Sequence, residues 1–188
     1  EDAREGTWIP GPGRAVFDAI SRALGHLPLI AEDLGSVDET TIALRDALGL
    51  PGMKVIQFGL DGNPDNPHRA DAHTPLSVVY TGTHDGPTAR GWWEAQDPGT
   101  QEWLNLAKEG REAARAMTKI ALDSESFWAI VPLQDLLELD DSARMNRPGT
   151  LEENWVWRAP SGALDRDVTG AVRAEVVRSG RSLTAARE

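Results

Sequence analysis

A chain of 188 residues, 40% hydrophobic and 26% charged, can bury one sizeable core and has an ordinary globular composition. Its formal charge of −11 excludes sequence-independent binding to nucleic acid or to an acidic membrane surface, both of which need basic patches. The absence of cysteine excludes disulfides and thiolate metal sites, and no apolar run approaches the roughly 18 residues of a membrane helix.

The chain starts at Glu1 without a methionine or a signal-peptide pattern, and reads as a trimmed or partial cytoplasmic product. Residues Gly6 to Gly13 are rich in glycine and proline and predict an irregular loop. From Arg14, the spacing of Val16, Phe17, Ile20 and Leu24 predicts a helix that Gly25 ends. His26-Leu-Pro-Leu-Ile-Ala-Glu-Asp-Leu-Gly35 follows. Its apolar part predicts a buried strand over Leu27 to Ala31 ending in two acids, although periodicity alone also suits a helix segment. Neighbouring side chains of a strand point to opposite faces, so one of Glu32 and Asp33 is expected to look inward.

Ser36 or Asp38 is positioned to cap a second helix reaching Leu48. Met53 to Phe58 reads as a strand. Residues 59 to 76, interrupted by Pro64, Pro67 and Pro75, read as a long loop. Leu76 to Tyr80 is a further strand, ending in Thr81-Gly-Thr-His-Asp-Gly86. A short helix is expected around Trp92 and Trp93, and a longer one from about Thr100 to Leu122. Phe127 to Val131 reads as the last strand, with a helical turn near Leu136 after it. Residues 140 to 163 look irregular, a final helix spans about Leu164 to Val177, and residues 178 to 188 read as a loosely held tail. Strands alternating with helices indicate α/β architecture with about four parallel strands.

Two expected strand ends carry acids, Glu32 with Asp33 and His84 with Asp85. Carboxylates gathered at one rim of a parallel sheet suit glycoside chemistry, in which one group protonates the leaving oxygen and another stabilises an oxocarbenium-like transition state. The alternative for His84-Asp85 is an N-cap before the Trp92 helix. Seven Trp against one Tyr and three Phe favour a ligand with flat apolar faces, such as a sugar. The Arg144 to Thr150 and Asn154 to Arg158 stretches offer amide and guanidinium donors for hydroxyl groups. His68 and His73 near Asp65 and Asp71 match no metal spacing. No dinucleotide, P-loop or serine-elbow motif occurs, so neither a cofactor nor a metal is expected.

Taken together, these stretches resemble the amylomaltases, or 4-α-glucanotransferases (disproportionating enzymes). The motifs are Gly6-Thr-Trp-Ile-Pro-Gly-Pro-Gly13, Ala31-Glu-Asp-Leu-Gly35, Leu50-Pro-Gly-Met-Lys-Val-Ile-Gln-Phe58 and Tyr80-Thr-Gly-Thr-His-Asp85. Val131-Pro-Leu-Gln-Asp135, Arg144-Met-Asn146 with Pro148-Gly149, and Asn154-Trp-Val-Trp-Arg158 follow in the family's order. The resemblance implies that residues 1–188 are the C-terminal half of a (β/α)8 barrel. It implies Glu32 as general acid/base, Asp85 as the transition-state-stabilising aspartate, and His84 and Asn146 as substrate-binding residues. The implied reaction moves a segment of an α-1,4-glucan, such as a maltooligosaccharide, to the 4-hydroxyl of another sugar, with retention of configuration.

Two departures stand out. The family's nucleophilic aspartate belongs to an Arg-x-Asp motif before the acid/base strand, and none precedes Glu32 here. The nucleophile is therefore expected upstream of Glu1, and the isolated chain is expected to be inactive without the missing N-terminal half of the barrel. Gly86 also stands where the family usually has asparagine. Two other readings fit the same residues: a non-catalytic remnant that binds glucan or a partner, and a related retaining α-glucan hydrolase.

Overall fold

The computed structural model describes residues 6–7, 9–25 and 28–181. Trp8, His26, Leu27 and residues 182–188 of the expected tail lie outside the described residues. The chain divides into two compact units, Glu1–Gly52 and Met53–Glu188.

The first unit holds two helices, α1 (Arg14–Leu24) and α2 (Glu39–Ala47), close to where their apolar spacing placed them. Asp38 caps α2 by accepting from the Thr41 amide at 2.7 Å, which satisfies one of the free N–H groups of the first turn. Arg14 reaches the last residue of α2, donating to the Ala47 carbonyl at 3.1 Å. Among the described residues of this unit only Gly52 is buried, so the apolar stripe of α1 has no core of its own to enter.

The strand expected at Leu27 to Ala31 does not form over its described residues. A strand needs a ladder, and residues 28–34 have no ladder with another strand among the described residues, although the Ala31 amide donates to the Pro51 carbonyl at 2.9 Å. The described residues therefore contain three strands where four were expected.

The second unit is built on a sheet ordered β1 (Gly52–Val55), β2 (Ser77–Tyr80), β3 (Trp128–Ile130). β2 and β3 are parallel, with Val78 opposite Trp128 and Tyr80 opposite Ile130. The central strand buries Ser77, Val78 and Val79, whereas β3 lies at an edge with Trp128 and Ile130 exposed. Against the sheet pack α4 (Ala89–Glu94) and α6 (Gly110–Asp123). Ile56, Val79, Ala89, Ala114, Met117 and Ala121 form the core. The buried residues of α6 recur at helical spacing, and its alanines let the helix lie close to its neighbours.

Three expected boundaries move. The strand from Met53 stops at Val55, and Ile56–Gly59 turns into α3. The single helix expected over 100–122 is two, α5 (Pro98–Leu104) and α6. Asp97 caps α5 earlier than expected, at 3.0 and 3.1 Å from the Gly99 and Thr100 amides. Asn105 at φ 45 then ends it in the left-handed conformation that asparagine tolerates.

α7 (Leu133–Leu136) follows β3, and α8 (Arg166–Arg178) closes the described chain. Where a loose tail was expected from 178, Arg178 is 2.8 Å from Asp123. Arg181 donates to the carbonyls of Leu122, Ser124, Ser126 and Phe127. The long loop 59–76 is tied by its own side chains: Asp61, Asn63 and Asn66 each accept from an amide two residues on. His73 is buried, bonded to the Ser124 hydroxyl at 2.7 Å and the His68 carbonyl at 3.0 Å.

Candidate active site

β2 ends at Tyr80 and α4 begins at Ala89, and the eight residues between carry His84 and Asp85. The expected alternative, that this pair caps α4, is not what forms: Thr88 is the cap, accepting from the Gly91 amide at 3.0 Å. His84 and Asp85 are thereby left about half exposed.

The loop is gripped from its buried side by two residues. Gln57, 5% exposed, donates from Nε2 to the Pro87 carbonyl at 3.0 Å. A Cβ at Gly82 would stand 2.6 Å from that same nitrogen, so only glycine lets the loop pass over Gln57 without moving it. Asp135, 2% exposed, accepts from the Thr81 hydroxyl through Oδ2, and from the Ala89 amide through Oδ1 at 2.7 Å. Burial pushes the Asp135 carboxyl above the ordinary aspartate value, and its bonds to Thr81 and Ala89 pull the other way.

A second loop covers the first. The Arg144 guanidinium donates to the Asp85 carbonyl, and to the Asn146 carbonyl at 2.9 Å. Asn146 donates its amide to the His84 carbonyl at 3.1 Å and its Nδ2 to Asp85 Oδ1 at 2.6 Å. His84 Nε2 stands 3.2 Å from the same oxygen. Asp85 Oδ1 is therefore fixed by an amide and an imidazole, while no donor among the described residues reaches Oδ2. The Trp155 ring lies 5.1 Å from that of His84. Its backbone sits at φ 63, which is strained for a bulky residue. The Trp155 amide donating to the Met145 carbonyl at 2.7 Å, and Arg158 donating to the Trp155 carbonyl at 2.8 Å, hold it there. A cavity of about 110 Å3 opens between the loops, lined by Thr83, His84, Gln134, Asp135 and Arg144 among others.

Of the four residues expected to matter, the second unit brings together Asp85, His84 and Asn146. Glu32 belongs to the first unit and is exposed in an irregular segment. Its neighbour Asp33 accepts from Arg45 in the last turn of α2. Gln57 and Asp135 were not singled out by sequence reasoning. Both fall inside quoted motifs, but nothing in a single sequence says which loop a buried amide or acid will hold.

A family model described as 4-alpha-glucanotransferase matches residues 1–164. The chain belongs to the 4-alpha-glucanotransferase family. It is 45% identical over 171 residues to the 4-alpha-glucanotransferase of Streptococcus pneumoniae, covering 87% of this chain and 33% of that protein. The chloroplastic/amyloplastic 4-alpha-glucanotransferase of Arabidopsis thaliana is 44% identical over 163 residues, covering 85% of this chain and 28% of that one. The amylomaltase of Streptococcus agalactiae, solved in complex with acarbose, matches 96% of this chain and 37% of its own at a TM-score of 0.86 and 28% identity. The chain thus spans about a third of the length of these 4-alpha-glucanotransferase relatives. No helix among the described residues is long and apolar enough to cross a membrane.

Proposed function

We propose that these residues form the C-terminal, acid/base-bearing portion of a cytoplasmic 4-alpha-glucanotransferase acting on maltooligosaccharides and other α-1,4-glucans. The observation that carries the reading is Asp85 held by Asn146 and His84, in a chain whose family match runs across both Glu32 and Asp85.

In this reading Glu32 begins protonated and gives its proton to the departing glycosidic oxygen. An aspartate from the remainder of a family-length chain attacks the anomeric carbon, making a covalent glycosyl-enzyme. Glu32, now a carboxylate, takes the proton of the acceptor's 4-hydroxyl as that oxygen displaces the aspartate. The proton is returned and configuration is retained. Asp85 stabilises the positive charge that develops on the sugar at each transition state. Asn146 and His84 aim its carboxylate and offer donors to sugar hydroxyls.

The same reading makes the chain half of a (β/α)8 barrel that requires the other strands. Two features support it: an edge strand with Trp128 and Ile130 exposed, and helices α1 and α2 without a buried residue.

Incubation with maltotriose tests the proposal. The 188-residue chain alone yields no product. Joined to the upstream two-thirds of the Streptococcus pneumoniae relative, it yields glucose and longer maltooligosaccharides. Glu32→Gln in that fusion lowers the rate by about 10²- to 10⁴-fold, the usual worth of general acid/base help. Product from the isolated chain, or a fusion indifferent to Glu32→Gln, rules the proposal out.

A further inference from the structure

The turn α7 touches both site loops with adjacent residues. Asp135 bridges the two stems of the 81–88 loop, since Thr81 follows β2 and Ala89 opens α4. Gln134, also buried, donates to the Ala143 carbonyl at 3.2 Å, immediately before the Arg144 that grips the Asp85 carbonyl. A buried carboxylate is a costly way to fill space unless its bonds constrain something. Here both of its oxygens are used on one loop.

We infer that Asp135 is a positioning residue for Asp85: with Gln134 it locks the 81–88 and 143–147 loops into the register in which Asn146 meets Asp85. The inference rests on the proposed function only for the purpose that this register serves. The locking itself is a property of the chain. Asp135 and Asn146 share no hydrogen bond, so the influence of one on the other passes through the loop bearing His84 and Asp85 or through the neighbouring Gln134 and Ala143, and Thr81→Val isolates the first route.

Hydrogen–deuterium exchange of the 188-residue chain, read by mass spectrometry, tests this without substrate or turnover. Failure of the glucanotransferase reading would show in the maltotriose assay instead. Peptides covering 81–88 and 143–150 are followed against the α6 peptide 110–123. Asp135→Ala removes both bonds from the stems of the 81–88 loop and is expected to speed exchange there about tenfold or more, with 143–150 accelerated in turn because its bonds to His84 and Asp85 lose their support. Thr81→Val keeps the residue's size, removes one of the two bonds and takes no hydrogen bond from 143–150. It is expected to speed both peptides in the same way, to a smaller extent. Asp135→Asn keeps an acceptor for the Ala89 amide and a polar partner for Thr81, and is expected to restore near-parent rates. Acceleration shared equally by α6 would mean simple loss of packing and overturn the inference. So would 143–150 remaining at parent rates while 81–88 loosens in Thr81→Val.

Discussion

Gln57 shows how much of the site turns on one side chain. Its Nε2 supports Pro87 and blocks any Cβ at Gly82, and its Oε1 would stand 3.2 Å from a Cβ at Gly86. Gly82→Ala must push the amide aside and break the bond to Pro87, at a cost of about 1–3 kcal/mol. Gln57→Ala forfeits the same bond. The double variant is expected to lose less than the sum of the two, which urea unfolding of the parent and the three variants would measure.

Asp135 carries a pH signature of its own. Its carboxyl is raised above the ordinary value of 3.8 by burial, so between that value and its folded pKa the folded state binds more protons than the unfolded one. Its contribution to stability is full below 3.8 and is lost as pH rises through the folded pKa. Asp135→Asn removes this dependence. Its melting temperature relative to the parent is expected to rise from pH 4 toward pH 7, and a flat difference would refute the assignment.

At the scale of elements, sequence patterns located what local chemistry decides. The spacing of Phe17 and Ile20, the Asp38 cap and the apolar run before Tyr80 were sufficient for α1, α2 and β2. What was not legible depended on distant partners or on one backbone angle. The strand expected before Glu32 looked right by composition but lacks a ladder within the described residues. The helix expected over 100–122 hid a left-handed Asn105 and the irregular residues 106–109 that separate α5 from α6. Arg181 fell in a stretch read as tail, yet it clasps the turn between α6 and β3 by donating to four carbonyls. A guanidinium at a helix C-terminus satisfies carbonyls that have no helical partner and opposes the helix dipole favourably. Arg181→Ala is expected to destabilise the second unit by about 1.5–3 kcal/mol, with faster exchange in 122–127; thermal unfolding checks the first and amide exchange the second.

For the whole molecule, the sequence pointed to the residues but not to how they come together. His84, Asp85 and Asn146 are 62 residues apart from end to end in sequence and meet because the loops after successive parallel strands share one end of a sheet, whereas the rim expected to join Glu32 to Asp85 is not formed by a described strand before Glu32. The apolar surface tells the other half. Phe127 and Trp128, with rings 5.2 Å apart, stand exposed beside an edge strand, and α1 turns Val16 and Leu24 outward. Such an edge is a template for pairing with another chain. Sedimentation of the isolated 188 residues is therefore expected to show concentration-dependent association, diminished by Trp128→Lys; a clean monomer across the range would contradict it. Asp38, Asp61, Asp71, Asp97, Asp123 and Asp140 are all lowered by hydrogen bonds that favour the ionised form. Their stabilisation is present above the ordinary aspartate value and fades as pH falls through their lower folded values, and being on the surface it is modest and weakened by salt.

The tilted contact of Trp155 with His84 has an optical consequence. The indole is about half exposed and its ring centre lies 5.1 Å from the imidazole, so its surroundings change if the segment bearing Trp155 leaves the 81–88 loop. Its emission would therefore report whether the two loops stay joined. The strained bend that holds the ring in place thus gives the site a built-in lamp.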